Sequence, residues 1–173
     1  LWKLYVPQRR DCEVQIRISS GDIKVLGLAN PLVLTGGSSD ISLTNCTGEA
    51  QLLTASADIK IRDHSGNLRL KSASGDLKIK KMTGNLEFKT SSGDIDIENV
   101  TGQITMKASS GDMKLSRTKG SLNLHSASGE IRINNSKILE QSNLKSASGD
   151  IVVSISNPLK SHLSLSSGSG SLL

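Results

Sequence analysis

Aromatic side chains are nearly missing from this chain: Trp2, Tyr5 and Phe88 are all it has, 2% of 173 residues. Globular enzymes normally fill a wide core with aromatic bulk, so the interior here must be narrow enough for aliphatic side chains to fill. Cysteine is scarce too, and the pair Cys12 and Cys46 makes no disulfide framework. Long apolar runs are absent: none approaches a membrane span, and no signal peptide is visible. Because the chain begins at Leu1 rather than Met, a missing leader says little about compartment. Charge is not strongly one-sided. Twenty-one Lys and Arg against 16 Asp and Glu leave +5, which permits acidic glycans, phospholipid surfaces or nucleic acid without choosing among them.

What the chain has in abundance is a repeat. Ser74-Gly75-Asp76-Leu77-Lys78-Ile79 returns as Ser92-Gly93-Asp94-Ile95-Asp96-Ile97, then as Ser110-Gly111-Asp112-Met113-Lys114-Leu115 and Ser128-Gly129-Glu130-Ile131-Arg132-Ile133. Earlier copies sit at Asp22, Asp40 and Asp58 and a later one at Asp150, every step being 18 residues except the last, of 20. Halfway between lies a second element, Thr83-Gly84-Asn85-Leu86-Glu87-Phe88, with copies around Gly48, Gly66, Gly102 and Gly120. One coil is thus two nine-residue halves, each a small-residue or Gly corner followed by a short strand with apolar residues at alternate positions.

Parallel stacking of the coils keeps the Asp corner distinct from the Asn/Gln/Glu corner; an antiparallel sandwich would not bring residues 18 apart into register. A triangular coil would need apolar residues six and twelve after Leu77, where the chain has Thr83 and Lys89. The expected fold is therefore all-β: a single-domain parallel β-solenoid of 18-residue coils forming two facing parallel sheets. Residues 1–11, holding Trp2 and Tyr5, read as a lead or cap, and 12–173 as about eight to nine coils. The closing Ser169-Gly170-Ser171-Leu172-Leu173 resembles the opening of another coil, as if the array were cut there or covered by something else. One sheet should bury Ile23, Ile41, Ile59, Leu77, Ile95, Met113, Ile131 and Ile151, with Val25, Leu43, Ile61, Ile79, Ile97, Leu115, Ile133 and Val153. The other should bury Leu68, Leu86, Ile104 and Leu122, with Leu52, Leu70, Phe88, Met106 and Leu124. Ordering one coil costs more backbone entropy than its own aliphatics return, so stability must come from the interfaces between coils.

Ser-Gly-Asp-Ile-x-Ile alternating with Thr-Gly-x-Leu-x-Leu resembles the bacterial adhesin family of β-strand repeats, related to the head domains of autotransporter adhesins. The resemblance covers essentially residues 12–173. It implies a solenoid in the cell envelope, on the cell surface or secreted, with a binding or structural role, and it supplies no catalytic residue. The calcium-binding nonapeptide repeat is a poorer fit, because Asp76 directly follows Gly75 and directly precedes Leu77, which turns it outward.

Two columns are candidates for function. The acidic corner ladder runs Asp22, Asp40, Asp58, Asp76, Asp94, Asp112, Glu130 and Asp150. Stacked like charges repel, by about 0.8 kcal/mol for a pair about 5 Å apart in water. The expected compensation is acceptance of corner backbone N–H groups and pairing with Lys24, Lys60, Lys78, Lys114 and Arg132, two residues further on; a cation-binding ladder is the sharper alternative. Asp94, Asp96 and Glu98 make one coil acidic between Lys78/Lys80 and Lys114, which predicts ion pairs between coils. On the opposite sheet Arg69, Lys71, Lys89, Lys107, His125 and Lys145 project outward, and Lys71, Lys89 and Lys107 share a column without an acid among them. That face is the candidate anion-binding surface; a solvated, edge-protecting lysine ladder is the plainer reading.

Cys46 shares a repeat position with His64, Met82, Val100 and Thr118 and reads as a small corner residue; one His and one Cys without paired spacing give zinc no support. No metal site and no cofactor are expected. Enzyme readings fare poorly, since His64, His125 and His162 fall in different repeat environments with no Ser/His/Asp arrangement. Insertions of two and three residues near Ile138 and Pro158 interrupt the register. The sequons Asn45-Cys46-Thr47 and Asn99-Val100-Thr101 are by-products of one repeat position. The expectation is a non-enzymatic binding scaffold presenting charged ladders to an anionic glycan or envelope polymer, with peripheral membrane contact at most and no nucleic acid. The alternative is a structural module that packs end to end with itself or a partner domain.

Overall fold

The computed structural model describes residues 12–156 and 161–173; the expected cap at residues 1–11 and the insertion near Pro158 lie outside them. The chain coils into a β-solenoid of about eight turns, with every strand pairing parallel. Sheet A stacks Val14–Ser20, Leu32–Ser38, Ala50–Ser56, Leu68–Ser74, Leu86–Thr90, Ile104–Ser110, Leu122–Ser128, Ser142–Ser148 and Leu163–Ser169 in chain order. Sheet B interleaves with it, carrying Ile23–Leu26, Ile41–Thr47, Ile59–Ser65, Leu77–Thr83, Ile95–Thr101, the broken strand Met113–Ser116 and Lys119–Gly120, Ile131–Ile138 and Ile151–Ile155. Equivalent residues pair one turn apart: Leu77 with Ile95, Ile95 with Met113, Leu70 with Phe88, Phe88 with Met106.

Both sets of expected core columns face inward, with Phe88, Ile97, Met106 and Leu115 among the fully buried side chains. Val25 and Val153, near the ends of their column, are only partly covered. The full strands between Ala50 and Ser148 nevertheless bury at least three positions where alternation of aliphatics promised two. In sheet A the third is small: Thr54, Ser72, Thr90, Ala108, Ser126 and Ser146 are all buried. Their hydroxyls mostly turn back to main chain or to one another, as in Thr54 Oγ1 to Ser72 Oγ (3.0 Å) and Thr90 Oγ1 to the Ser92 carbonyl (2.8 Å).

In sheet B the third inward position is the Cys46 column, and here the sequence reading needs correcting. Cys46, His64, Met82, Val100, Thr118 and Ser136 are not corner residues but buried interior ones. The cause is the residue before each. Asn45, Asp63, Lys81, Asn99, Arg117 and Asn135 adopt left-handed backbone, with φ between 47 and 57°. One such residue acts as a bulge and breaks the period of two. In Ile59–Ser65, Ile59 and Ile61 point in, Arg62 and Asp63 stay out, and His64 turns in.

The corners explain the glycines. Gly93 has φ 117°, and a Cβ there would lie 2.1 Å from the Gly75 carbonyl oxygen of the preceding turn. The coils thus stack more closely at this corner than any side chain allows. The two-residue insertion is absorbed between Ile138 and Ser142, where Leu139, Glu140 and Gln141 are exposed, and pairing then resumes with Asn123 opposite Asn143. At the other end of the array the last residues re-enter sheet B, Leu172 bridging to Ile151.

Candidate functional site

The outer face of sheet A is ordered by the same register. Lys71 pairs with Lys89, Lys89 with Lys107, Lys107 with His125 and His125 with Lys145, so one column carries five basic side chains on five successive turns, all exposed. Arg69 belongs to the neighbouring column, with Gln51, Glu87 and Thr105. It is ion-paired with Glu49, and Lys89 reaches Glu87 at 2.7 Å. That hydrogen bond holds the Glu87 carboxyl below its ordinary pKa, with the charges of Lys89, Arg69 and Lys71 adding to it. Lys71, Lys107, His125 and Lys145 make no ion pair among the described residues.

Beside this ladder runs a feature the sequence did not announce. Asn67, Asn85 and Gln103 form the second corner, and with Arg69, Glu87 and Thr105 they line a shallow groove of about 350 Å³. The Asn85 N–H donates to Asn67 Oδ1 (3.0 Å) and the Gln103 N–H to Asn85 Oδ1 (3.1 Å). Each asparagine oxygen is spent on the next turn, which leaves the amide nitrogens for an outside acceptor. The column of amides at 18-residue spacing was the available signal.

The acidic corner uses the same geometry. The backbone N–H groups of Asp76, Asp94, Asp112 and Glu130 donate to the Oδ1 atoms of Asp58, Asp76, Asp94 and Asp112 at 2.8–3.0 Å. The ladder extends downward through a longer contact from the Asp58 N–H to Asp40 (3.4 Å), and Asp150 accepts from the Ser171 N–H (2.7 Å). Asp22 is exposed at the first corner. Pairing with the column two residues on is not how the repulsion is met: within that column only Arg132 reaches a corner acid, Glu130, at 2.6 Å. Lys78 instead crosses to Asp96 (3.4 Å), because the cross-turn neighbour in register lies nearer than the corner.

Sheet B's outer face is consequently paired around its one acidic turn. Besides Lys78–Asp96 it holds Lys80–Glu98 (3.2 Å), Lys81–Asp63 (3.5 Å) and Arg117–Glu98. The hydrogen bond from Lys80 holds the Glu98 carboxyl below its usual value, with the charges of Lys80 and Arg117 contributing. Asp96 and Glu98 thus find their partners across turns, as the change of sign at this one coil anticipates.

Of the histidines, His125 and His162 are exposed, and His64 is buried at 4% exposure. Neither of its ring nitrogens has a partner at hydrogen-bond geometry. Burial pushes its pKa down, opposed in part by the nearby Gly48 backbone. No group of three or more His, Cys, Asp or Glu side chains converges on a metal-sized site among the described residues, and no helix is long and apolar enough to cross a membrane.

Among known protein families, the Toastrack DUF4097 profile matches residues 3–117 and again 54–173. The chain belongs to the Toastrack DUF4097 family. No curated protein and no solved structure shows significant similarity to it. Membership carries a β-solenoid repeat fold and assigns this Toastrack domain no function.

Proposed function

We propose that this Toastrack domain is a non-enzymatic binding scaffold of the bacterial envelope or cell surface, holding a linear anionic glycan along the outer face of sheet A. The observation that carries the reading is the in-register column Lys71, Lys89, Lys107, His125 and Lys145, one cationic or ionisable group per turn. A row of like charges is costly to a fold that gains nothing from it. It suits a polymer that brings regularly spaced anions along the solenoid axis. The adjoining groove favours a glycan over a lipid surface, since Asn67, Asn85, Gln103 and Thr105 offer the hydrogen bonds that sugar hydroxyls use and that acyl chains do not. Nucleic acid is a poorer fit, because the face carries no aromatic side chain on which bases could stack.

The test is binding to immobilised heparin as a stand-in polyanion, titrated with salt, beside vesicles rich in phosphatidylglycerol. Binding to heparin should fall steeply as salt rises, and reversing Lys71, Lys89 and Lys107 to Glu together should weaken it at least about tenfold. Reversing Lys24, Lys60 and Lys114 on sheet B serves as the control and should do far less. Equal binding by the sheet A triple variant removes the contact face. Binding to vesicles alone redirects it to a lipid surface. Growth of light scattering with protein concentration, with no binding to either probe, favours the self-assembling structural module.

A further inference from the structure

The basic column of sheet A is regular in position but not in kind. It reads Leu53, Lys71, Lys89, Lys107, His125, Lys145 and Ser166 on successive turns, so a single imidazole stands in a row of lysines. What lies beside the row also changes along it. In the lower part the neighbouring column carries Arg69 and Glu87, and Glu87 holds Lys89 at 2.7 Å. In the upper part that column continues as Thr105, Asn123 and Asn143, none of them charged. On the other flank, two residues further along the same three strands, come Ser109, Ala127 and Ala147. The titratable groups facing His125 on these turns are therefore Lys107 on the turn before and Lys145 on the turn after. All three side chains are exposed, and none makes an ion pair among the described residues.

Histidine is the side chain that changes charge between about pH 5 and 8. With a neutral ring this acid-free segment carries two separated charges. With a proton it carries three, on turns stacked about 4.8 Å apart. Three like charges in a row repel, and no acid on this part of the face offsets them. An anion laid along the row does.

We propose that Lys107, His125 and Lys145 form a proton-coupled anion site, at which the polyanion and a proton are taken up and released together. This rests on the lysine-face reading above and adds its regulation: binding tightens in mild acid and loosens in mild alkali. The coupling is reciprocal, since the proton favours the anion by the factor by which the anion favours the proton. One proton passes from solvent to a ring nitrogen, and no other bond changes. Lysine fits this column on the turns to either side, so the fold does not demand an imidazole here. The imidazole makes the row conditional.

The experiment measures binding of the whole chain to heparin at about pH 6 and about pH 8, at one salt concentration. Calorimetry in buffers of different ionisation heat reads the proton taken up. The sulfates of heparin keep their charge across this range, so a change reports on the protein. Affinity should rise about fourfold toward the acid end, the effect of one further unit charge at about 5 Å in water. His125→Gln should bind at both pH values as weakly as the parent does in alkali, and His125→Lys as tightly as the parent does in acid. Neither should take up a proton on binding. Both replace an exposed side chain and should fold; circular dichroism at each pH checks this and separates the effect from protonation of buried His64. His162→Gln, away from the row, should respond as the parent does. Equal affinity of the parent at the two pH values overturns the coupling and leaves the lysine face standing. No heparin binding at either pH overturns both. A pH response that survives in His125→Gln overturns the assignment of the proton.

Discussion

The two outer faces of this solenoid are made by one repeat and behave as opposites. On sheet B one acidic turn interrupts the basic columns, so that Lys78 meets Asp96 and Lys80 meets Glu98, although Lys60 lies against Lys78 and Lys114 against Arg132. On sheet A the column repeats one sign from Lys71 to Lys145, and only Lys89 finds an acid, on its own strand. Parallel stacking amplifies whatever the sequence supplies at an 18-residue interval: a change of sign becomes neutralisation, and repetition becomes a field. The difference between an inert wall and a candidate binding face therefore lies in which residue follows which after 18 positions, with the same backbone beneath both.

The most forceful way to break the comparison is to remove the register on which both faces depend. Gly93→Ala should destabilise by more than about 2 kcal/mol, since it puts a side chain at φ 117° and 2.1 Å from the Gly75 carbonyl. Gly36→Ala is its control. The added Cβ there meets only side-chain carbons at 3.7–3.9 Å, and urea unfolding should change by less than about 1 kcal/mol.

Acid should act next, through the interior that the faces share. His64 has a folded pKa below its ordinary 6.5, because burial disfavours the charged ring. Below pH 6.5 the unfolded chain takes up a proton that the folded chain refuses. Stability should therefore fall as pH drops from 6.5 toward the folded pKa, by up to about 1.4 kcal/mol per pH unit. His64→Met, matching Met82, should flatten that slope. Glu87 and Glu98, whose pKa values are lowered, act in a separate window: their stabilisation is present above about pH 4.5 and is lost as pH falls through their folded values.

A smaller effect separates the charge of the acidic corner from its hydrogen bonding. Asp94→Ala takes away the acceptor of the Asp112 N–H and should cost about 1 kcal/mol. Asp94→Asn keeps an acceptor and removes a repulsion, as Asn67 and Asn85 do at the other corner, and should be neutral or slightly stabilising. The smallest effect bears most directly on the faces. Lys80→Gln should lose a few tenths of a kcal/mol, less at high salt, while Lys107→Gln should gain about as much at low salt. Opposite signs in low-salt unfolding would uphold the contrast between the faces; equal signs would erase it.

Much of this was legible beforehand, because a stacked repeat turns spacing into geometry. The interval between Asp76 and Asp94 is enough to predict parallel sheets, and the alternation in Leu77-Lys78-Ile79 is enough to predict which side chains face in. Two things escaped it for physical reasons. Asn, Asp, Lys and Arg share the column from Asn45 to Asn135, and only Asn and Asp hint at left-handed backbone, so the bulge that turns Cys46, His64 and Met82 inward left no uniform signature. Which of the two partners offered to Lys78 would win escaped as well, because Lys78 stands two residues from Asp76 in the chain but in register with Asp96 on the next turn.

What the sequence alone determined was the period, the two faces and the identity of every column, since each follows from residues 18 apart lying on one another. What only the tertiary structure decided was direction within a turn: which of two adjacent residues points inward after a left-handed bulge, and which neighbour an exposed charge reaches first. Those depend on backbone angles and distances across turns, and neither is written in the order of the residues along one strand.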